Sequence, residues 1–168
     1  MNGRRAPGFT LTELALAISI IAILAWIAYP KVAVLGEMRL DGAARRLAAD
    51  LRYAQGQSVA TRVTHGIWFD PARGRYTVYA DAPGTPVVDP ADRSHTLGVD
   101  FARSAEFHGV SIASASFGST PAVSFDSFGV PRDSAGTDLA RAGRVVLSYG
   151  DRSDTVSVAP ATGMVTVR

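Results

Sequence analysis

The chain has 168 residues, 17 basic and 15 acidic side chains and no cysteine, which allows one domain with a real core and excludes disulfides, thiolate metal sites and a thiol nucleophile. Its formal charge of +2 gives no strong bias toward nucleic acid or acidic partners. Both excess cations, Arg4 and Arg5, stand in the first eight residues, so from residue 9 onward 15 basic side chains (17 less 2) face 15 acidic ones.

The first eight residues, MNGRRAPG, are basic and end in Pro7-Gly8, which oppose helix continuation; a helix is expected to begin just after them. From Leu14 to Tyr29 only Ser19 is clearly polar, and Phe9, Leu11 and their neighbours bring the apolar run to about 21 residues, against about 20 for a bilayer-spanning helix. Residues 9–30 are therefore predicted to be a single-pass transmembrane helix. Arg4 and Arg5 would keep its N-terminal side in the cytoplasm, with the C-terminal domain across the membrane. Glu13 lies inside this run. An ionisable group at the membrane centre costs roughly 2.5–3.5 kcal/mol, less near an end, so its presence needs a reason.

Thr10 and Glu13 have the T-x-x-E spacing of a capping box, but a cap needs no long apolar run behind it. A secretory signal would have an apolar core of about 7–15 residues and a small-residue cleavage site after it. Here the core is longer, carries Trp26 and Tyr29, and follows the acid. An uncleaved single-span anchor is the remaining alternative. The order of basic leader, Gly8, Phe9, two threonines, Glu13 and apolar helix resembles the class III signal of type IV pilins and type II secretion pseudopilins. That resemblance implies a leader, residues 1–8, cut between Gly8 and Phe9 by a membrane prepilin peptidase, which then N-methylates Phe9. It also implies that Glu13 serves subunit assembly by pairing with the Phe9 amine of an adjoining subunit.

Pro30 closes the apolar run. A proline within a helix deletes a hydrogen bond and crowds the preceding turn, so a kink is expected there; in pilins, similar prolines mark where the helix can loosen. Continuation beyond it is predicted by Leu40, Ala44, Leu47, Leu51, Ala54 and Ser58, spaced by fours and threes along one helical face. Asp41–Arg45 and Arg46–Asp50 stand at i,i+4. Residues 31–62 thus read as an amphipathic helix, apolar toward a domain and charged toward solvent or neighbours.

From residue 63 to 168 the period changes to two, predicting an antiparallel β domain. THGIWFD and GRYTVYA flank Pro71–Gly74 as a hairpin, and Asp81–His95, with Pro83, Gly84, Pro86 and Pro90, reads as an exposed loop. Gly109–Ala113 and Ala122–Phe125 are shorter strand candidates. Arg144–Tyr149, Thr155–Ala159 and Val165–Val167, separated by turns at Gly150-Asp151 and Pro160–Gly163, form a meander. Trp68, Phe69, Tyr76 and Tyr79 are expected in the core and in cross-strand pairs.

ADLRYAQGQSVATR at the helix end, VSFDSFGVPR and the closing APATGMVTVR resemble the GspH/FimT group of pseudopilins and minor pilins. The implied fold is α+β, a long N-terminal helix packed on antiparallel sheet. The implied function is that of a minor structural subunit that primes or caps the pseudopilus of a type II secretion system or a type IV pilus. It would reside in the inner membrane, with a periplasmic domain, before joining the filament. Its partners would be other pilin-like subunits, met through the N-terminal helix, and the prepilin peptidase/methyltransferase. Lack of cysteine departs from many major pilins, which close a C-terminal loop with a disulfide.

No catalytic residue, metal or cofactor is expected. His65, His95 and His108 lack ligand spacing. Asp92, Ser94 and His95 are hydrolase residue types without a nucleophile-elbow pattern. Asp133–Asp138 could offer oxygens to calcium but lacks EF-hand spacing and reads as a solvated turn. The alternative function is a DNA-binding minor pilin involved in DNA uptake, suggested by Arg39, Arg45, Arg52 and Arg62 on the helix. Formal neutrality beyond residue 8 counts against nucleic acid, because phosphate binding needs several uncompensated cations.

Overall fold

The computed structural model describes residues 10–168, and the side chains of all of these except 27–34. They divide into two compact units between Leu35 and Gly36. One helix, α1 (Leu11–Thr61, 51 residues), begins in the first unit and ends in the second. It runs on through Pro30; the kink expected there falls among residues whose side chains lie outside the description. Among the described residues no helix is long and apolar enough to cross a membrane. The predicted span, 9–30, begins and ends outside the described side chains, and residues 10–26 alone fall short of the roughly 20 that a bilayer requires.

In the second unit the predicted stripe faces inward. Leu40, Ala44, Leu47, Leu51, Ala54 and Ser58 are all buried, widened to a broader face by Ala43 and Ala48. Alanine at these flanking positions lets the helix sit close to the sheets while burying little side-chain entropy. Where α1 enters this unit, Gly36 lies against the ring of Tyr149: a Cβ there would come within 2.3 Å of Cε1. Gly109 closes on the opposite edge of the same ring, with 2.7 Å from a Cβ to Cε2.

Two antiparallel sheets complete the unit. The first contains β1 (His65–Asp70), β2 (Arg75–Ala80), β3 (Gly98–Asp100), β5 (Ala122–Phe125) and β6 (Pro131–Arg132), in the order β3-β2-β1-β5-β6. The second contains β4 (Ser111–Ser116), β7 (Gly143–Tyr149), β8 (Arg152–Val158) and β9 (Val165–Val167), in the order β4-β7-β8-β9. The expected β1–β2 hairpin closes through a short 3-10 turn at Pro71–Arg73, where Asp70 Oδ1 accepts the Arg73 N–H at 3.2 Å. The β7–β8 hairpin turns through Gly150-Asp151 as predicted; Tyr149 opposes Arg152, and Gly150 takes a left-handed φ of 58°. Only glycine adopts that conformation without steric penalty.

The helix and the inner faces of both sheets share one core. Phe69 and Tyr76, opposite each other on β1 and β2, have ring centroids 5.9 Å apart, and Phe69 stacks on Phe117 at 5.5 Å. Such aromatic pairs add about 0.5–1.5 kcal/mol beyond their buried area. Tyr79 is also buried, but Trp68 is not: at 41% exposure it projects from the outer face of β1. The alternation that buries Ile67 and Phe69 necessarily turns the residue between them outward.

Some boundaries differ from expectation. β4 starts at Ser111 rather than Gly109, whose φ of 89° places it in a turn. β8 begins at Arg152, three residues before the predicted start, because its polar first residues still pair with β7. β3 and β6, with three and two residues, are too short to give a periodic pattern and exist through pairing with longer neighbours.

Candidate functional site

The N-terminal half of α1 is the region with an unmet physical requirement. Thr10 caps it: its Oγ1 accepts the Glu13 N–H at 3.3 Å and its carbonyl accepts the Leu14 N–H at 3.1 Å. This supplies the threonine half of a capping box. Glu13 stands exposed in the first turn, where a negative charge is favoured by the helix dipole. Ser19, the polar residue of the run, donates to the Ala15 carbonyl at 2.8 Å, so it presents no unsatisfied hydroxyl hydrogen.

Apart from Thr12, whose hydroxyl meets that of Thr10 at 3.2 Å, everything else on this segment is apolar and uncovered. Leu11 is 84% exposed, Trp26 82%, and Leu14, Leu16, Ile18, Ile20, Ile21, Ile23 and Leu24 are all exposed as well. A helix that is apolar all round belongs inside a larger assembly or a membrane, and a continuous exposed apolar surface marks an interaction site. Glu13 is the one ionisable group among residues 10–26. Gly8 and Phe9, the expected cleavage and methylation positions, lie outside the described residues.

The second half of α1 holds a polar contact that sequence spacing misread. Asp50 was expected on the charged outer face with Arg46; instead it is buried. Its Oδ2 accepts the Tyr76 hydroxyl at 2.7 Å and Arg46 Nε at 3.3 Å, and Arg46 also reaches Asp89 at 3.6 Å. Burial raises the Asp50 pKa, opposed by the Tyr76 hydrogen bond and the Arg46 charge. Burial beside that carboxylate also drives the Tyr76 phenol well above its ordinary range. The network ties α1 to β2 and to the loop after it, which is a structural task.

Most of the remaining candidates are held by other groups of the same domain. Arg45 donates twice to Asp41 at 2.9 Å, Arg52 donates to the Val165 carbonyl at 3.0 Å, and Arg39 reaches the His108 carbonyl at 3.5 Å. Arg62 follows the helix end with φ of 61°. Asp92 accepts the Ser94 hydroxyl at 2.6 Å and His95 Nδ1 at 2.8 Å, and its pKa is lowered to about 2, chiefly by that hydroxyl. Ser94 Oγ also meets His95 at Nδ1. A catalytic triad needs serine and carboxylate on opposite ring nitrogens; here both use the same one. Asp133 Oδ1 accepts the N–H groups of Ala135 and Thr137 at 2.9 Å, and Asp138 pairs with Arg132 at 3.1 Å. Among the described residues no group of three or more His, Asp or Glu is placed to hold a metal.

Comparison with known proteins agrees with this picture. The family model of the type II transport protein GspH matches residues 43–162, and that of the prokaryotic N-terminal methylation motif matches residues 3–29. The crystal structure of the type IV minor pilin FimU from Pseudomonas aeruginosa superposes with a TM-score of 0.51 at 16% identity, over 79% of this chain and 90% of that one. The minor pseudopilin EpsH from the type 2 secretion system of Vibrio cholerae gives 0.55 at 10% identity, over 77% and 96%. At such identities the likeness is one of fold: a helix packed on antiparallel sheets. No curated protein matches in sequence.

Proposed function

The chain belongs to the family of the type II transport protein GspH, a family of structural subunits rather than enzymes, and from that premise we propose that it is a minor subunit that primes or caps a pseudopilus or pilus. In this reading residues 1–8 are a leader removed by the prepilin peptidase, Phe9 becomes the N-methylated N-terminus, and residues 9–30 hold the subunit in the inner membrane until it is assembled. Pro30 is the point where the helix can bend on leaving the bilayer. The β domain stands on the periplasmic side. The machine is a type II secretion system or a type IV pilus.

The observation that carries this reading is the uncovered apolar surface from Leu11 to Trp26 with a single acid in its first turn. An apolar helix that leaves the bilayer can bury its surface only against other apolar surfaces. Glu13 adds selectivity: paired with the Phe9 amine of an adjoining subunit, away from water, it rewards one axial register and penalises the rest. Mass spectrometry of the protein extracted from membranes of cells with the peptidase should find Phe9 plus one methyl group as the N-terminus. Recovery of the intact Met1 leader from those cells would refute the reading.

A further inference from the structure

Gly36 stands in the interior of α1, where glycine weakens a helix, at the point where α1 enters the second unit. It is buried, and the ring of Tyr149 is the reason: a Cβ at position 36 would come within 2.3 Å of Cε1. Gly109, in a turn with φ of 89°, takes the opposite edge of that ring, where a Cβ would come within 2.7 Å of Cε2. Each glycine admits the ring by having no side chain, so Tyr149 is wedged between the helix and a turn.

Neighbouring contacts close around the same point. Glu37 pairs with Arg152, and Arg39 Nη1 reaches the His108 carbonyl at 3.5 Å. Tyr149 and Arg152 are the pair nearest the turn of the β7–β8 hairpin, whose pairing runs from Gly143 to Tyr149. The first turn of the helix within the domain is thus fastened to this hairpin and to the turn before β4. Tyr149 carries most of the hold, because an ion pair as exposed as Glu37–Arg152 contributes little.

Burial changes abruptly here. Leu35 is 52% exposed, whereas Leu40, the first leucine of the core face, is 3% exposed. Pro30, six residues before Gly36, has no N–H to give to the helix and crowds the preceding turn. A helix that has opened at one point loses further hydrogen bonds one residue at a time. Opening that starts at Pro30 would therefore run on toward Leu40 and the core face unless the turn between them is held.

We propose that Tyr149, seated between Gly36 and Gly109, is the stop at which opening of α1 from Pro30 ends. The domain thereby keeps its share of the helix while the N-terminal half bends. This rests on the reading of Pro30 as the bending point and adds the place where the bending ends.

The test is hydrogen exchange, read by mass spectrometry, on the full chain in detergent micelles. It follows the amides of residues 40–43, which donate to the carbonyls of residues 36–39. Gly36→Ala separates a stop from helix propensity. Alanine is the better helix former, so propensity alone would slow exchange there, whereas displacing the Tyr149 ring should speed it. The expected result is exchange at least about tenfold faster at residues 40–43, the scale of losing one aromatic contact, with residues 47–58 and β8 unchanged. Tyr149→Ala should do the same, and adding Pro30→Ala to either variant should return the exchange toward that of the native chain. Unchanged or slower exchange at residues 40–43 in either variant would overturn the stop. Equal acceleration across α1 and β8 would overturn it too, since the domain would then be opening as a whole. Acceleration that persists with Pro30→Ala would overturn opening from Pro30, and with it this proposal, while leaving the reading of subunit assembly intact.

Discussion

The two halves of α1 meet opposite fates although both are rich in apolar residues. In residues 11–26 every side chain is exposed, whereas residues 40–58 bury a face that includes Leu40, Leu47 and Leu51. Distribution around the axis is what separates them. The second half confines its apolar residues to one side, which its own sheets can cover; the first is apolar all round, so no single-sided neighbour could satisfy it. A one-sided stripe specifies a fold, and an all-round one requires an assembly or a membrane.

The same substitution placed in each half breaks this comparison most forcefully. Leu47→Asp should destabilise the 36–168 domain by more than about 3 kcal/mol, since it replaces a fully buried side chain with an unpaired charge in the core. Leu16→Asp in the full chain should leave the unfolding midpoint of that domain unchanged while reducing membrane retention. Denaturant titrations followed by tryptophan fluorescence check the first, and membrane fractionation checks the second. An unaffected Leu47→Asp domain would mean that the helix buries a different face.

A smaller effect sharpens the comparison at the one acid that the second half buries. Asp50 has its pKa raised in the fold, first by burial, so its contribution to stability is fully present below the ordinary aspartate range and is lost as pH rises through the raised value. Asp50→Asn keeps an oxygen to accept the Tyr76 hydroxyl and removes the titration. The variant's melting temperature relative to the native chain should therefore increase between about pH 4 and pH 7. A difference that stays constant, or falls, across that range would contradict a raised Asp50 pKa.

Much of this was legible in the sequence, for definite physical reasons. The Leu40–Ser58 stripe declares its buried face through spacing alone, and the Gly150-Asp151 turn declares a hairpin through the backbone conformation it must adopt. Asp50 was not legible, because Arg46 four residues earlier suggests a surface ion pair. Its burial is decided by Tyr76, 26 residues away on another element. Gln55 also gave no pattern: it joins two distant loops by donating to the Gly129 and Thr162 carbonyls, 74 and 107 residues away. The order of Gly8, Phe9 and Glu13 resembles a processing signal, and the N-terminal methylation motif matches across them at residues 3–29; the cleavage, methylation and pairing read from that order belong to the proposal.

The central claim, that the uncovered half of α1 exists to join other subunits, turns on Glu13. Glutamine preserves the shape and can serve at the same capping-box position, so a residue that only caps the helix would tolerate Glu13→Gln. Loss of one partner from a buried ion pair typically costs about 3–5 kcal/mol, enough to exclude a subunit from a filament while leaving membrane insertion unaffected. The decisive measurement is crosslinking of Glu13→Gln to other pilin-like subunits in cells that assemble the machine. The expected result is a protein that inserts, is cut after Gly8 and accumulates in the membrane, with crosslinking sharply reduced; crosslinking at the level of the native chain would contradict the account.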